Sequence, residues 1–69
     1  MDITQKIKLA VKYKNTSMTE LAAALNMTPQ AMYQRLKTGK FTSAELEKIA
    51  VVLGAVYNAN FEFPDGFKI

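Results

Sequence analysis

Apolar residues at Ile3, Ile7, Ala10 and Val11 recur three and four positions apart, with Lys6, Lys8, Lys12 and Lys14 set between them. That period predicts one amphipathic helix over residues 2–14, with Asp2 at the end where a negative charge is favoured. Asn15-Thr16-Ser17 interrupts the pattern. Ser17 is placed to N-cap a second helix, with Glu20 three residues on as its capping-box partner. The segment "MTELAAAL" is built of strong helix formers, and its alanines allow another helix to come close.

Asn26 ends that segment, and after Gly it is the residue that best accepts the left-handed conformation beyond a helix. Thr28 reads as an N-cap, with Pro29 at the first helical position, where its missing N–H costs nothing. Only Met27 lies between Asn26 and Thr28, so the chain must turn sharply between two short helices, the signature of a helix-turn-helix. The third helix is expected over 29–37, with Met32 and Leu36 as its buried stripe and Ala31 or Arg35 at the margin. Gly39 follows as the terminating residue. Thr42 or Ser43 then caps a fourth helix, "SAELEKIAVVLG", whose Leu46, Ile49, Ala50 and Leu53 face inward before Gly54 stops it.

The period changes in the tail. Tyr57, Ala59, Phe61 and Phe63 alternate with Asn58, Asn60 and Glu62, which is strand patterning, and Pro64-Asp65-Gly66 is a strong turn signal. With Phe67-Lys68-Ile69 as a return strand, the tail is expected to be a β-hairpin. Such a two-stranded unit is marginal alone in water and cannot hide this much aromatic surface. It must fold back on the helices or pair with another chain, the edge strand 56–63 being free to meet a symmetry mate. The whole is expected to be a mainly α domain of four helices over 1–55 with a β-hairpin over 56–69 belonging to the same unit.

A chain of 69 residues carries one small core and is marginally stable unless helix packing or dimerisation helps. It contains neither Cys nor His, so disulfides, thiolate or imidazole metal sites and the commonest general base are unavailable. The six acidic residues show no paired-carboxylate or metal-ligand spacing and there is no Gly-rich phosphate loop, so no enzyme and no cofactor are expected. No apolar run is long enough to span a bilayer and no leader pattern opens the chain, so a cytoplasmic location is expected. Net charge is +3, and its placement matters more than its size. Lys6, Lys8, Lys12, Lys14, Arg35, Lys37 and Lys40 stand against only Asp2 and Glu20 in the first forty residues, which leans toward a polyanion, although solvated helix faces account for such charges equally well.

Over residues 3–54 the sequence resembles the Xre/Cro-type helix-turn-helix regulators of phages and bacteria. In "MTELAAALNMTPQAMYQRL", Leu21-Ala22 is similar to that family's Leu-Ala pair, Leu25 to its following core leucine, Met27-Thr28 to its apolar residue and cap, and Met32 to the buried residue of its recognition helix. "SAELEKIAVVLGA" resembles the helix that follows there. Asn26 stands where the family usually has Gly, Met18 where it often has a DNA-contacting Gln, and the hairpin replaces a fifth helix.

The resemblance implies a lambda-repressor-like domain and a repressor of phage or mobile-element type, in a bacterial or phage-infected cell. The helix 29–37 would enter the major groove of double-stranded DNA. With Met32 and Leu36 inward, Gln30, Tyr33 and Gln34 project together as base-contacting candidates, since Gln bonds adenine N6 and N7 and Tyr can meet a thymine methyl, a sugar or a phosphate. Thr19, Thr28, Pro29, Lys37 and Lys40 are the candidates for the phosphate backbone. Arg35 lies beside the buried stripe, where DNA contact and a role against the core are both open. One domain presents one recognition helix, so a homodimer is expected, with Tyr57, Phe61, Phe63 and Phe67 as its contact residues. No small-molecule substrate is expected. The competing expectation is a protein-interaction module, antitoxin-like or inhibitory, that uses the same scaffold and grips its partner through the aromatic tail.

Overall fold

The computed structural model describes all residues from Met1 to Ile69. Four helices follow in order: α1 (Ile3–Tyr13), α2 (Met18–Ala24), α3 (Pro29–Thr38) and α4 (Ser43–Val52). None is long and apolar enough to cross a membrane. Each begins at a side-chain cap. The Asp2 carboxylate accepts from the Gln5 N–H at 2.8 Å while the Gln5 side chain accepts from the Asp2 N–H at 3.1 Å. Thr42 and Glu45 repeat this reciprocal arrangement at α4. At α2 the expected box closes on one side only. The Ser17 hydroxyl accepts from the Glu20 N–H at 3.1 Å, but the Glu20 carboxylate takes the Thr16 hydroxyl instead of the Ser17 amide. A neighbouring O–H competes for the carboxylate and wins.

The helix ends share a second device. Asn15, Asn26 and Gly54 all lie in the left-handed region, at φ 54°, 57° and 67°. In each case the next residue's N–H reaches back to a carbonyl five positions earlier: Thr16 to Val11, Met27 to Ala22 and Ala55 to Ala50. This closure satisfies carbonyls that a helix end leaves free. Asn26 behaves as its position predicts, whereas Asn15 had been legible only as part of a polar break. Gly39 ends α3 at φ 68°.

The core sits where the four helices meet. Ile7 and Val11 of α1, Leu21 and Ala22 of α2, Met32 and Leu36 of α3, and Ile49 of α4 with Leu53 at its end form one buried cluster. Leu21, Ala22 and Met32 are at most 1% exposed, so α2 and α3 pack closely where the alanine allows it. No polar side chain is buried. Only nine of 69 residues are buried, which makes each cap count toward stability.

The tail departs from expectation. No sheet forms, and the two-stranded hairpin is absent: a single antiparallel bridge joins Glu62 to Lys68. Phe63-Pro64-Asp65-Gly66 does turn, with the Gly66 N–H donating to the Phe63 carbonyl at 2.9 Å. Residues 57–60 have no ladder partner; Asn58 and Asn60 are poor strand formers, and one narrow loop offers no third strand to hold them. Nor does the tail fold back on the helices, since every residue from Asn58 to Ile69 is exposed. The radius of gyration is 13.2 Å, against about 11 Å for a compact chain of this length, because the tail lengthens the molecule to 43 Å by 23 Å by 20 Å.

Candidate functional site

The connection 25–28 between α2 and α3 fixes how α3 is presented. Leu25 closes α2, Asn26 turns left-handed, Met27 packs against the core, and the Thr28 hydroxyl accepts from the Ala31 N–H at 3.1 Å. Pro29 occupies the first helical turn. With its start fixed this way, α3 buries Met32 (0% exposed) and Leu36 (4%) on one side.

On the other side, Gln30, Tyr33, Gln34 and Lys37 are all exposed, Tyr33 at 59%. At 100° per residue, these four span an arc of roughly 100° on the side of α3 away from Met32 and Leu36. The structure therefore brings together two amides, a phenol and an ammonium on one convex helix face. Thr28, Pro29 and the Gln30 amide, which has no acceptor within the helix, stand at its leading end. Thr19 is exposed on the first turn of α2 and Lys40 just beyond Gly39. Basic side chains concentrate toward the end of α3, with Arg35 and Lys37 in its last turn. No group of acidic side chains is arranged to hold a metal ion.

Arg35 is turned away from this face. Its Nε–H donates to the Lys40 carbonyl at 3.0 Å, its terminal nitrogen bonds and ion-pairs with Glu45, and its guanidinium carbon lies 5.4 Å from the centroid of the Phe41 ring. Glu45 is the partner that reading the sequence for DNA contacts missed. The Thr42-x-x-Glu45 spacing signals a capping box, but not the pairing with Arg35. The Glu45 carboxyl is held below the ordinary carboxylate range, first by the Thr42 backbone N–H and then by the Thr42 hydroxyl and the Arg35 guanidinium, while desolvation opposes the shift.

The residues expected at a dimer contact are not gathered into one site. Tyr57 is half-buried at an apolar groove with Ile3, Ala10, Leu46 and Leu53. Phe61, Phe63 and Phe67 are 74%, 45% and 57% exposed on the projecting tail, so they do not cover the helical core. The Phe63 and Phe67 rings meet each other, with centroids 5.9 Å apart.

Comparison with protein-family models, with curated proteins and with solved structures finds no match.

Proposed function

We propose that this chain is a lambda-repressor-like helix-turn-helix protein that binds double-stranded DNA sequence-specifically and regulates transcription, as a repressor of phage or mobile-element type. In this reading α2 lies across the backbone and α3 enters the major groove. Gln30, Tyr33 and Gln34 meet base edges, and Thr19, Thr28, Pro29, Lys37 and Lys40 meet phosphates. The protein acts by binding alone, without catalysis or cofactor, in the cytoplasm.

The observation that carries the reading is the division of α3. One side is buried through Met32 and Leu36, while the other offers Gln30, Tyr33, Gln34 and Lys37 exposed together. Any surface helix exposes a polar face, and this one groups two glutamines, a tyrosine and a lysine, the side chains that suit base edges and phosphates. A groove-reading helix needs donors, acceptors and cations with no buried partners of their own. Two such helices related by a two-fold axis would read half-sites about 34 Å apart, and the exposed phenylalanines supply a surface for that pairing.

The same phenylalanines favour a second reading, a protein-interaction module of antitoxin or inhibitor type in which the tail grips a different protein. The two are separated by titrating binding to a random-sequence duplex against salt while measuring mass by light scattering. Micromolar binding that weakens steeply with salt, from a species of twice the chain mass, supports the regulator. Absence of binding at low salt removes it and leaves the interaction module.

A further inference from the structure

Arg35 grips the segment that leads from α3 into α4 at three points. One planar guanidinium donates to the Lys40 carbonyl at 3.0 Å, pairs with Glu45 and lies over Phe41 at 5.4 Å. Glu45 extends the grip, because the same carboxylate oxygen accepts from the Thr42 N–H at 2.7 Å. The Arg35 and Glu45 side chains keep 35% and 33% of their surface exposed, and solvated ion pairs of this kind add little to stability. What three fixed points do supply is geometry. The loop between them contains Gly39 in the left-handed region, and its other side-chain tie at Lys40 is a 3.4 Å bond from the Lys40 N–H to the Thr38 hydroxyl.

Taking α3 as the groove-reading helix, we propose that Arg35 is a positioning residue for phosphate binding, one that touches no DNA itself but holds residues 38–42 so that Lys40 stands ready beside Lys37 for the backbone. The guanidinium suits this task because its donors diverge in a rigid plane that can serve a carbonyl and a carboxylate together while its face covers a ring. A lysine at this position keeps the charge and loses the fork.

The test is a salt titration of binding to a random-sequence duplex by wild type, Glu45→Gln, Arg35→Lys, Arg35→Met, Lys40→Ala and the Arg35→Met/Lys40→Ala double variant, each first shown to be folded by its thermal melt. Glu45→Gln can keep the capping bond to Thr42 and removes a negative charge, so electrostatics alone would tighten binding. The positioning role requires the opposite: binding weaker by about five- to ten-fold at 0.1 M salt, the counterion-release value of one phosphate contact. Arg35→Lys should weaken binding similarly despite its unchanged charge. Arg35→Met and Lys40→Ala should each reduce the log–log salt slope by about 0.9, and the double variant by no more than either alone.

Binding by Glu45→Gln as tight as wild type or tighter overturns the proposal. So does a further loss of slope when Arg35→Met is added to Lys40→Ala, which would make Arg35 a phosphate ligand in its own right. If wild type shows no salt-dependent binding, the groove-reading assignment of α3 falls and the positioning role falls with it. Steep wild-type binding with an unweakened Glu45→Gln variant removes the positioning role alone.

Discussion

The hydroxyl of Thr4 donates to the backbone carbonyl of Leu36 at 2.7 Å, across 32 residues of chain. It ties the first turn of α1 to the last turns of α3, where a helix leaves carbonyls without intrahelical donors. Thr4→Val keeps the shape and removes the donor. The expected loss is about 1 kcal/mol, and the melting temperature should fall by about 4–8 °C for a domain of this size. A far-ultraviolet circular dichroism melt measures it; an unchanged midpoint would show that water replaces the bond without loss.

Met32 has no exposed surface and stands at the junction of α2 and α3. Met32→Ala should cost about 2–5 kcal/mol, a large share of what so small a core supplies. Urea titration should therefore find the variant partly unfolded in buffer at 25 °C, with DNA binding lost for that reason alone.

The two glutamines and the lysine of α3 should separate cleanly. Gln30→Ala and Gln34→Ala should each weaken binding to a selected operator by about 1–3 kcal/mol while leaving the affinity for random duplex and its salt slope unchanged. Lys37→Ala should weaken both kinds of site together and lower the slope by about one. Competition titrations at several salt concentrations distinguish the two patterns. Glutamine variants that read every duplex as wild type does would place base recognition elsewhere.

Glu45 gives the molecule an acid dependence of known sign. Its carboxyl is pulled down in the folded state, chiefly by the Thr42 N–H, so the unfolded chain takes up a proton first as pH falls. The stabilisation is complete above the ordinary carboxylate value of about 4.3 and is lost as pH drops through the lower folded value. Denaturation midpoints of wild type and Glu45→Gln should therefore differ at pH 7 and converge in that acid range. A constant difference down to pH 3 would mean that the ion pair and cap do not respond to the proton.

The helices were legible because their periodicity and their capping residues agree. Thr28-Pro29, Gly39 and the left-handed Asn26 mark the very boundaries that position α3, and the inward pair Met32 and Leu36 leaves only one face for Gln30, Tyr33, Gln34 and Lys37. Side-chain choices among near neighbours were less legible. Whether Glu20 bonds the Ser17 amide or the Thr16 hydroxyl, and whether Arg35 turns outward or toward Glu45, depends on local geometry that residue spacing does not encode. The tail was misread for another reason. Alternation from Tyr57 to Phe63 describes what a strand would look like if it had a partner. Within this chain the pairing shrinks to one bridge between Glu62 and Lys68, flanked by backbone bonds between Phe61 and Ile69 and between Phe63 and Phe67.

That tail can be tested without disturbing the helices. Phe61→Ser combined with Phe67→Ser changes two exposed side chains, so the thermal stability of the monomeric unit should stay within about 0.5 kcal/mol. Light scattering should show the mass falling from two chains to one if these rings form the dimer contact. A retained dimer would move the contact to another surface, and retained mass with lost activity would favour a different protein as partner.

From Asn58 onward no side chain is buried, and the helical unit closes its own ends at Ala55. The two parts of the chain are therefore separable in their packing. Substitutions among the exposed Phe61, Phe63 and Phe67 should cost the helical fold little, and under the proposed reading they would retune association while the face of α3 is altered separately. On that reading, a new target sequence and a new partner would be reachable in independent steps.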